Sequence, residues 1–154
     1  MQSVNQFKQS AELGQADLSY NPNTISGEIA STETAELVAG DFVKMADVAG
    51  GAPKFLKCTA DTDEAYGVLL YNPKDTKRVK GDFAEIGSMG NVVYLRATGA
   101  IGRGAQVALD TSETGGVTAT LTSVSIVGHA MDKAAADGDL IRVMLSTPSF
   151  AVGA

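Results

Sequence analysis

With 154 residues, 44% of them hydrophobic but only 6% aromatic and none Trp, the chain is long enough for one domain, whose core must rest on Val, Leu, Ile, Ala and Met. A formal net charge of −6 disfavours non-specific nucleic-acid binding, and the single cysteine, Cys58, excludes an intrachain disulfide. No stretch approaches the roughly 18–20 apolar residues of a membrane-spanning helix, and the start of the chain holds no apolar run, so neither a membrane partner nor a signal peptide is expected.

Residues 1–24 stand apart as an N-terminal arm. They are rich in Gln and Asn, and their large apolar side chains follow neither a strand nor a helix period for long. Such a stretch has little private core and reads as an extended arm reaching up to about 80 Å. Its candidate partner contacts are Phe7, Leu13, Leu18 and Tyr20, each worth roughly 1.5–3 kcal/mol if fully buried.

From Thr24 onward short strands alternate with turns. The candidates are Ile25–Ala30, Phe42–Ala46, Phe55–Thr59, Gly67–Tyr71, Phe83–Gly87, Val92–Ala97, Gln106–Leu109, Val117–Thr120, Val124–Met131 and Leu140–Ser146. Between them lie Gly50-Gly51-Ala52-Pro53, Asn72-Pro73, Gly87 to Asn91 and Glu113 to Gly116, residues that supply turn conformations. This spacing predicts an all-β fold over residues 25–154, a small antiparallel β-barrel or sandwich. One short helix is expected at Met131–Asp137, ended by Gly138.

A faint internal repeat runs through these strands. Gly40-Asp41-Phe42-Val43 is followed by Gly50-Gly51, Gly67-Val68-Leu69 and Gly81-Asp82-Phe83. Gly104-Ala105-Gln106-Val107 is followed in the same order by Gly115-Gly116, Gly128-His129-Ala130 and Gly138-Asp139-Leu140. The repeat predicts a sheet duplicated to close one barrel or sandwich.

Chemistry-bearing residues are few. His129 is the only histidine and sits in an apolar strand, where a structural imidazole is expected. Cys58 has no CxxC partner. Asp61-Thr62-Asp63-Glu64 lacks the glycine and terminal bidentate Glu of a calcium loop and reads as a solvated turn. Gly99 to Gly104 lacks the Lys-Ser/Thr ending of a phosphate loop and reads as a strand-to-strand turn. The strongest charge feature is Lys74 to Lys80, in which Lys74, Lys77, Arg78 and Lys80 make a basic run suited to an acidic partner surface. No catalytic residue, metal site or cofactor is expected, and no aromatic platform for nucleic acid accompanies the run.

The run Ala39 to Lys44, the return Tyr66 to Leu70, the segment Val93–Val107 and the closing pair Val127 to Ala130 and Asp137 to Leu145 together resemble the cement, or head decoration, proteins of tailed bacteriophages. The resemblance covers roughly Ala39 to Ser146. It implies a non-enzymatic protein without cofactor, made in the host cytoplasm. It also implies a homotrimer on the outer capsid surface that bridges neighbouring copies of the major capsid protein. Two rival readings are a virion surface spike or small carbohydrate-binding module, weakened by the scarcity of aromatics for sugar stacking, and a small hydrolase, for which no carboxylate spacing singles out a pair.

Overall fold

Inward-facing Val, Leu, Ile and Ala alternate with polar residues over stretches too short to cover more than a narrow core, so the strands gain most by closing on themselves. The computed structural model describes residues 11–17 and 23–151. Among them are twelve strands and no helix: β1 (Thr24–Ile29), β2 (Leu37–Val38), β3 (Phe42–Met45), β4 (Lys54–Lys57), β5 (Gly67–Leu69), β6 (Lys77–Arg78), β7 (Phe83–Gly87), β8 (Val92–Ala97), β9 (Gln106–Asp110), β10 (Gly116–Thr118), β11 (Val124–Ala130) and β12 (Leu140–Ala151). The fold is all-β. Each of the ten predicted strands is present, two of them (β7 and β8) with the predicted ends.

The repeat closes two barrels, where the sequence predicted one. Strands β1-β4-β3-β5-β7 form the first closed barrel and β8-β10-β9-β11-β12 the second, in the same cyclic order. In each, the only parallel pair is the equivalent one, β1 with β4 and β8 with β10. Registers agree as well. The five pairs Thr24↔Gly87 to Glu28↔Phe83 correspond to Val92↔Met144 to Arg96↔Leu140, and Phe42↔Val68 corresponds to Gln106↔His129. Each copy therefore closes on its own five strands rather than sharing strands with the other.

Two local devices pin the registers. Turns 38–41, 79–82 and 136–139 share one construction, with glycine third at a φ near 90° (Gly40 92°, Gly81 87°, Gly138 89°) and aspartate fourth. The aspartate accepts a bond from the N–H three residues back: Val38 to Asp41 at 2.8 Å, Val79 to Asp82 at 2.9 Å and Ala136 to Asp139 at 3.1 Å. Gly67 and Gly128, equivalent in the two copies, lie so close to the carbonyls of Gly87 and Met144 that a Cβ would not fit, which lets the fourth and fifth strands of each barrel approach.

Ile29, Val43, Phe55, Leu69, Ala84 and Ile86 fill the first barrel, with Leu37 of the connecting segment packed among them. The larger cluster joins the interior of the second barrel to Phe42, Cys58, Ala65 and Val68, which lie outside the first. The β3–β5 outer face of the first barrel thus packs against the second. The matching positions on the second barrel, Gln106 and His129, are exposed. The barrels stack face to side, without symmetry.

Residues 11–17, predicted to be part of a free arm, are built into this junction. Strand β10 reaches only Arg96 and Ala97 of β8, and residues 14–17 take up the rest of that edge. Gly14 N–H donates to the Tyr94 carbonyl at 2.8 Å, Tyr94 N–H to the Gln15 carbonyl at 3.0 Å, and Asp17 N–H to the Val92 carbonyl at 2.8 Å. Tyr71 N–H, from the first barrel, donates to the Gly14 carbonyl at 3.0 Å. Leu13, expected to reach a partner, lies over Gly40 and Gly115 of its own chain. Phe7, Leu18 and Tyr20 lie outside the described residues.

The helix expected at Met131–Asp137 does not form. Ala134 exchanges backbone bonds with Ile101 (2.9 and 3.0 Å), and Asp139 accepts the N–H groups of Ala135 and Ala136. Seven residues gain too few helical bonds to compete with these partners.

Gly14 has a φ of 78°, and a Cβ there would come within 2.5 Å of the Gly40 nitrogen. Gly14→Ala should therefore lower stability by about 1–3 kcal/mol, seen as a melting temperature reduced by roughly 3–10 °C. An unchanged melting temperature would show that residues 11–17 are not seated at the junction.

Candidate functional site

The chemistry-bearing side chains are committed to structure. Cys58 is buried, and burial pushes its thiol up to about 12, with the charges of Asp63 and Asp41 adding to the shift and Lys44 opposing it. Asp41 is also raised by burial, against the Val38 N–H and Lys57 at 3.4 Å. For Asp63 burial acts upward, but the Lys44 ammonium at 2.8 Å and the N–H groups of Thr59 and Ala60 outweigh it and hold the carboxyl below its ordinary range. Asp61 accepts bonds from both the N–H and the hydroxyl of Thr111 at 2.7 Å. Asp63 thus closes its own turn, and Asp61 ties that turn to Thr111 beyond β9. Ile101, within the glycine-rich segment, pairs with Ala134 as a strand bridge, and His129 faces outward from β11.

Met45, Val48, Met89 and Met144 are exposed elsewhere on the surface, and two equivalent loops carry exposed residues of both kinds, charged and apolar. In the first barrel the loop is the connection from β5 to β7, which carries β6. Asn72-Pro73-Lys74-Asp75 makes a turn in which the Asn72 side chain accepts the Lys74 N–H at 3.0 Å. Strand β6 then pairs with β2, placing Leu37 opposite Arg78 and Val38 opposite Lys77. Arg78 is turned inward. Its side chain is 8% exposed and donates to the carbonyls of Phe83 (3.1 Å), Asp75 (2.6 Å) and Lys77 (3.0 Å), so it is the internal strut of the loop. Lys74, Lys77 and Lys80 are exposed, and Lys77 pairs with Glu36 at 3.0 Å. Val79 and Phe83, the latter 67% exposed, follow in the chain, and Val79 and Lys80 line a hollow of about 380 Å3 together with residues 33–36.

In the second barrel the corresponding loop joins β11 to β12. Asp132 grips Arg142 through both oxygens (2.9 and 2.8 Å), and that bond first, with partial burial opposing it, holds the carboxyl below its ordinary range. Arg142 also reaches Asp17 at 3.2 Å, tying the loop to the N-terminal segment. Lys133 is exposed on the loop, and Leu140, at the start of β12, is 36% exposed.

Phe83, Val79 and Leu140 are functional candidates that the sequence reading passed over. Strand parity could have found two of them. Phe83 shares a face with charged Glu85, and Leu140 shares one with Arg142, while Ala84, Ile86, Ile141 and Val143 point inward.

Comparison with known proteins gives one family. A model described as XM1 gp53 minor capsid protein matches residues 1–145. No curated protein matches the sequence.

Three outcomes follow from the burial of Cys58 and Arg78 and the exposure of the neighbouring lysines. At pH 8 the thiolate fraction of Cys58 is on the order of 10⁻⁴, so iodoacetamide should leave the folded protein unmodified and alkylate it once denatured. Equal labelling of both forms would contradict the burial. Arg78→Ser should cost about 1–3 kcal/mol by leaving carbonyls short of a donor. Replacing Lys74, Lys77 and Lys80 with Ser should move the melting temperature by no more than about 2 °C.

Proposed function

The chain belongs to the XM1 gp53 minor capsid protein family and so is a structural capsid protein of the phage virion; from that premise we propose that it is a cement protein on the outer capsid surface, without enzymatic activity, bridging neighbouring copies of the major capsid protein. One observation carries this reading. A bridge needs two grips, and the duplicated chain presents a candidate on each barrel: exposed Phe83 and Val79 with Lys74, Lys77 and Lys80 on the connection that leads to β7, and exposed Leu140 at the end of the connection that carries Lys133. Exposed apolar residues rimmed by charge mark protein-binding surfaces. Two modest contacts on one rigid body reinforce each other through effective concentration.

The proposal extends to a homotrimer, in which subunit contacts add buried area to a core poor in aromatics. It also assigns Phe7, Leu18 and Tyr20 to contacts with neighbouring subunits. They stand on segments rich in Gln and Asn that have little core of their own.

Expanded capsids assembled without this protein should bind it to saturation in a regular array over the head and withstand higher temperature once coated. Replacing Lys74, Lys77 and Lys80 with Ser should slow binding at low salt and have little effect at high salt. Labelling confined to one vertex or to the tail would sink the cement reading.

A further inference from the structure

Strand β12 departs from the repeat. Its counterpart β7 ends at Gly87, the position equivalent to Met144, whereas β12 runs seven residues further, to Ala151. Pairing on the β8 side stops at Leu145, whose N–H donates to the Asn91 carbonyl at 2.8 Å and whose carbonyl accepts the Gly90 N–H at 2.9 Å. Beyond it β11 covers one edge, pairing Val124 to Ile126 with Ala151 to Ser149. The other edge of residues 146–151 makes no backbone bond among the described residues. An unpaired edge of this kind is a template for an added strand.

A hollow adjoins this edge. It measures about 450 Å3 and is lined by Thr147 of the projecting strand and by Lys44, Met45, Glu64 and Tyr66 of the first barrel. Met45 is 47% exposed, and the sulfur of Met89, itself 54% exposed, accepts the Thr147 hydroxyl at 2.8 Å. Adaptable methionine side chains beside an open edge suit an apolar side chain carried on an incoming strand. The rim is acidic. Lys44 is spent on Asp63 at 2.8 Å, Asp61 is bonded to Thr111 rather than to a cation, and Glu64 is exposed and in no ion pair among the described residues.

We infer that the free edge of β12 and this hollow receive residues 1–10 of a second copy of this chain, with Phe7 in the hollow. The inference rests on the homotrimer reading above and deepens it. Those ten residues, outside the described part of the chain, hold Phe7, no proline and no carboxylate, and their one charged side chain is Lys8, opposite in sign to Glu64. Fully extended they span about 33 Å, whereas a strand along residues 146–151 needs about 20 Å, which leaves length to cross between copies. The donor is another copy because residues 14–17 lie along the edge of β8 that faces away from β12. Within one copy the departing segment and the free edge are therefore on opposite sides of β8.

Self-association of the wild type, Phe7→Ser and Met45→Glu is measured by light scattering, with far-UV spectra alongside, and benzoylphenylalanine placed at position 7 of the full chain is photo-crosslinked. The wild type should be oligomeric at micromolar concentration. Each substitution should weaken self-association roughly ten- to a hundredfold and leave the spectrum unchanged. The cross-linked species should run as dimers and trimers on a denaturing gel, with the cross-links mapping to Met45, Tyr66 or Thr147. An oligomer that both substitutions leave intact, or cross-links confined to single copies of an oligomeric wild type, overturns the inference and leaves the homotrimer reading standing. A wild type that stays monomeric both in solution and on capsids removes both.

Discussion

An aspartate that accepts the N–H three residues before it, across a turn whose third residue is glycine, governs how this chain closes. It occurs before β3, β7 and β12, at Asp41, Asp82 and Asp139. Strands of two to seven residues, the lengths of β1 to β11, cannot fix their own register, because a slip of one residue costs few bonds and reverses every side chain. The turn supplies what the strand lacks. Once the first residue after Asp is placed, parity places the rest: Ala84 and Ile86 inward with Phe83 and Glu85 outward, then Ile141 and Val143 inward with Leu140 and Arg142 outward. Buried Asp41 shows that the device is kept even at an electrostatic cost, since its carboxyl is raised by desolvation and relieved only by the Val38 N–H and Lys57.

Duplication preserved the interior and divided labour on the exterior. Inside, the copies exchange volume without changing register: Gly27 and Phe55 in the first barrel correspond to Leu95 and Val117 in the second. Outside, Phe42 and Val68 are buried against the second barrel, whereas their equivalents Gln106 and His129 meet water. That difference fixes the stacking as one-sided. A second apolar face on β9 and β11 would invite head-to-tail growth, and its polarity blocks that route. Residues 11–17 complete the junction by pairing with β8 and bonding to Tyr71, so the pair of barrels is held by main chain as well as by side chains.

Much of this was legible in the sequence because alternation and turn residues are local signals. The ten principal strands follow from them, and so does the order of glycines that marks the two copies. Closure was not legible. Whether two repeats share one barrel or build two depends on pairing between distant strands, such as Thr24 with Gly87, and no local pattern states it. Strands β2 and β6 are two residues long and exist through Arg78, whose burial could not be guessed from a run of exposed lysines. The strand expected at Leu140–Ser146 continues past Pro148 to Ala151, crossing an irregular stretch of pairing with β11 between Leu145 and Ser149. Of the candidate site, the lysines were visible and the apolar partners were not. Phe83 and Leu140 look like core residues until the charged residue two positions on sets the parity.

The architecture also bears on how such a small chain would act in the proposed bridging role. Conformational entropy lost on binding weakens any adaptor whose two contacts move independently. In the bridging role proposed above the contacts would be the first residues of β7 and β12, each fixed by a Gly-Asp turn and each belonging to a barrel that leaves little freedom to its strands. The barrels share one apolar cluster and are joined by the 11–17 segment, so the separation of Phe83 and Leu140 is set by the fold before any partner arrives. Effective concentration at the second contact is then limited by how well that separation matches the spacing of the partner sites, since no linker is available to absorb a mismatch. Under the proposed bridging role, a rigid two-barrel body would discriminate among capsid lattices by spacing as well as by chemistry. It would grip the lattice state whose neighbouring segments lie at the distance built into the chain and leave other states bound through one contact only.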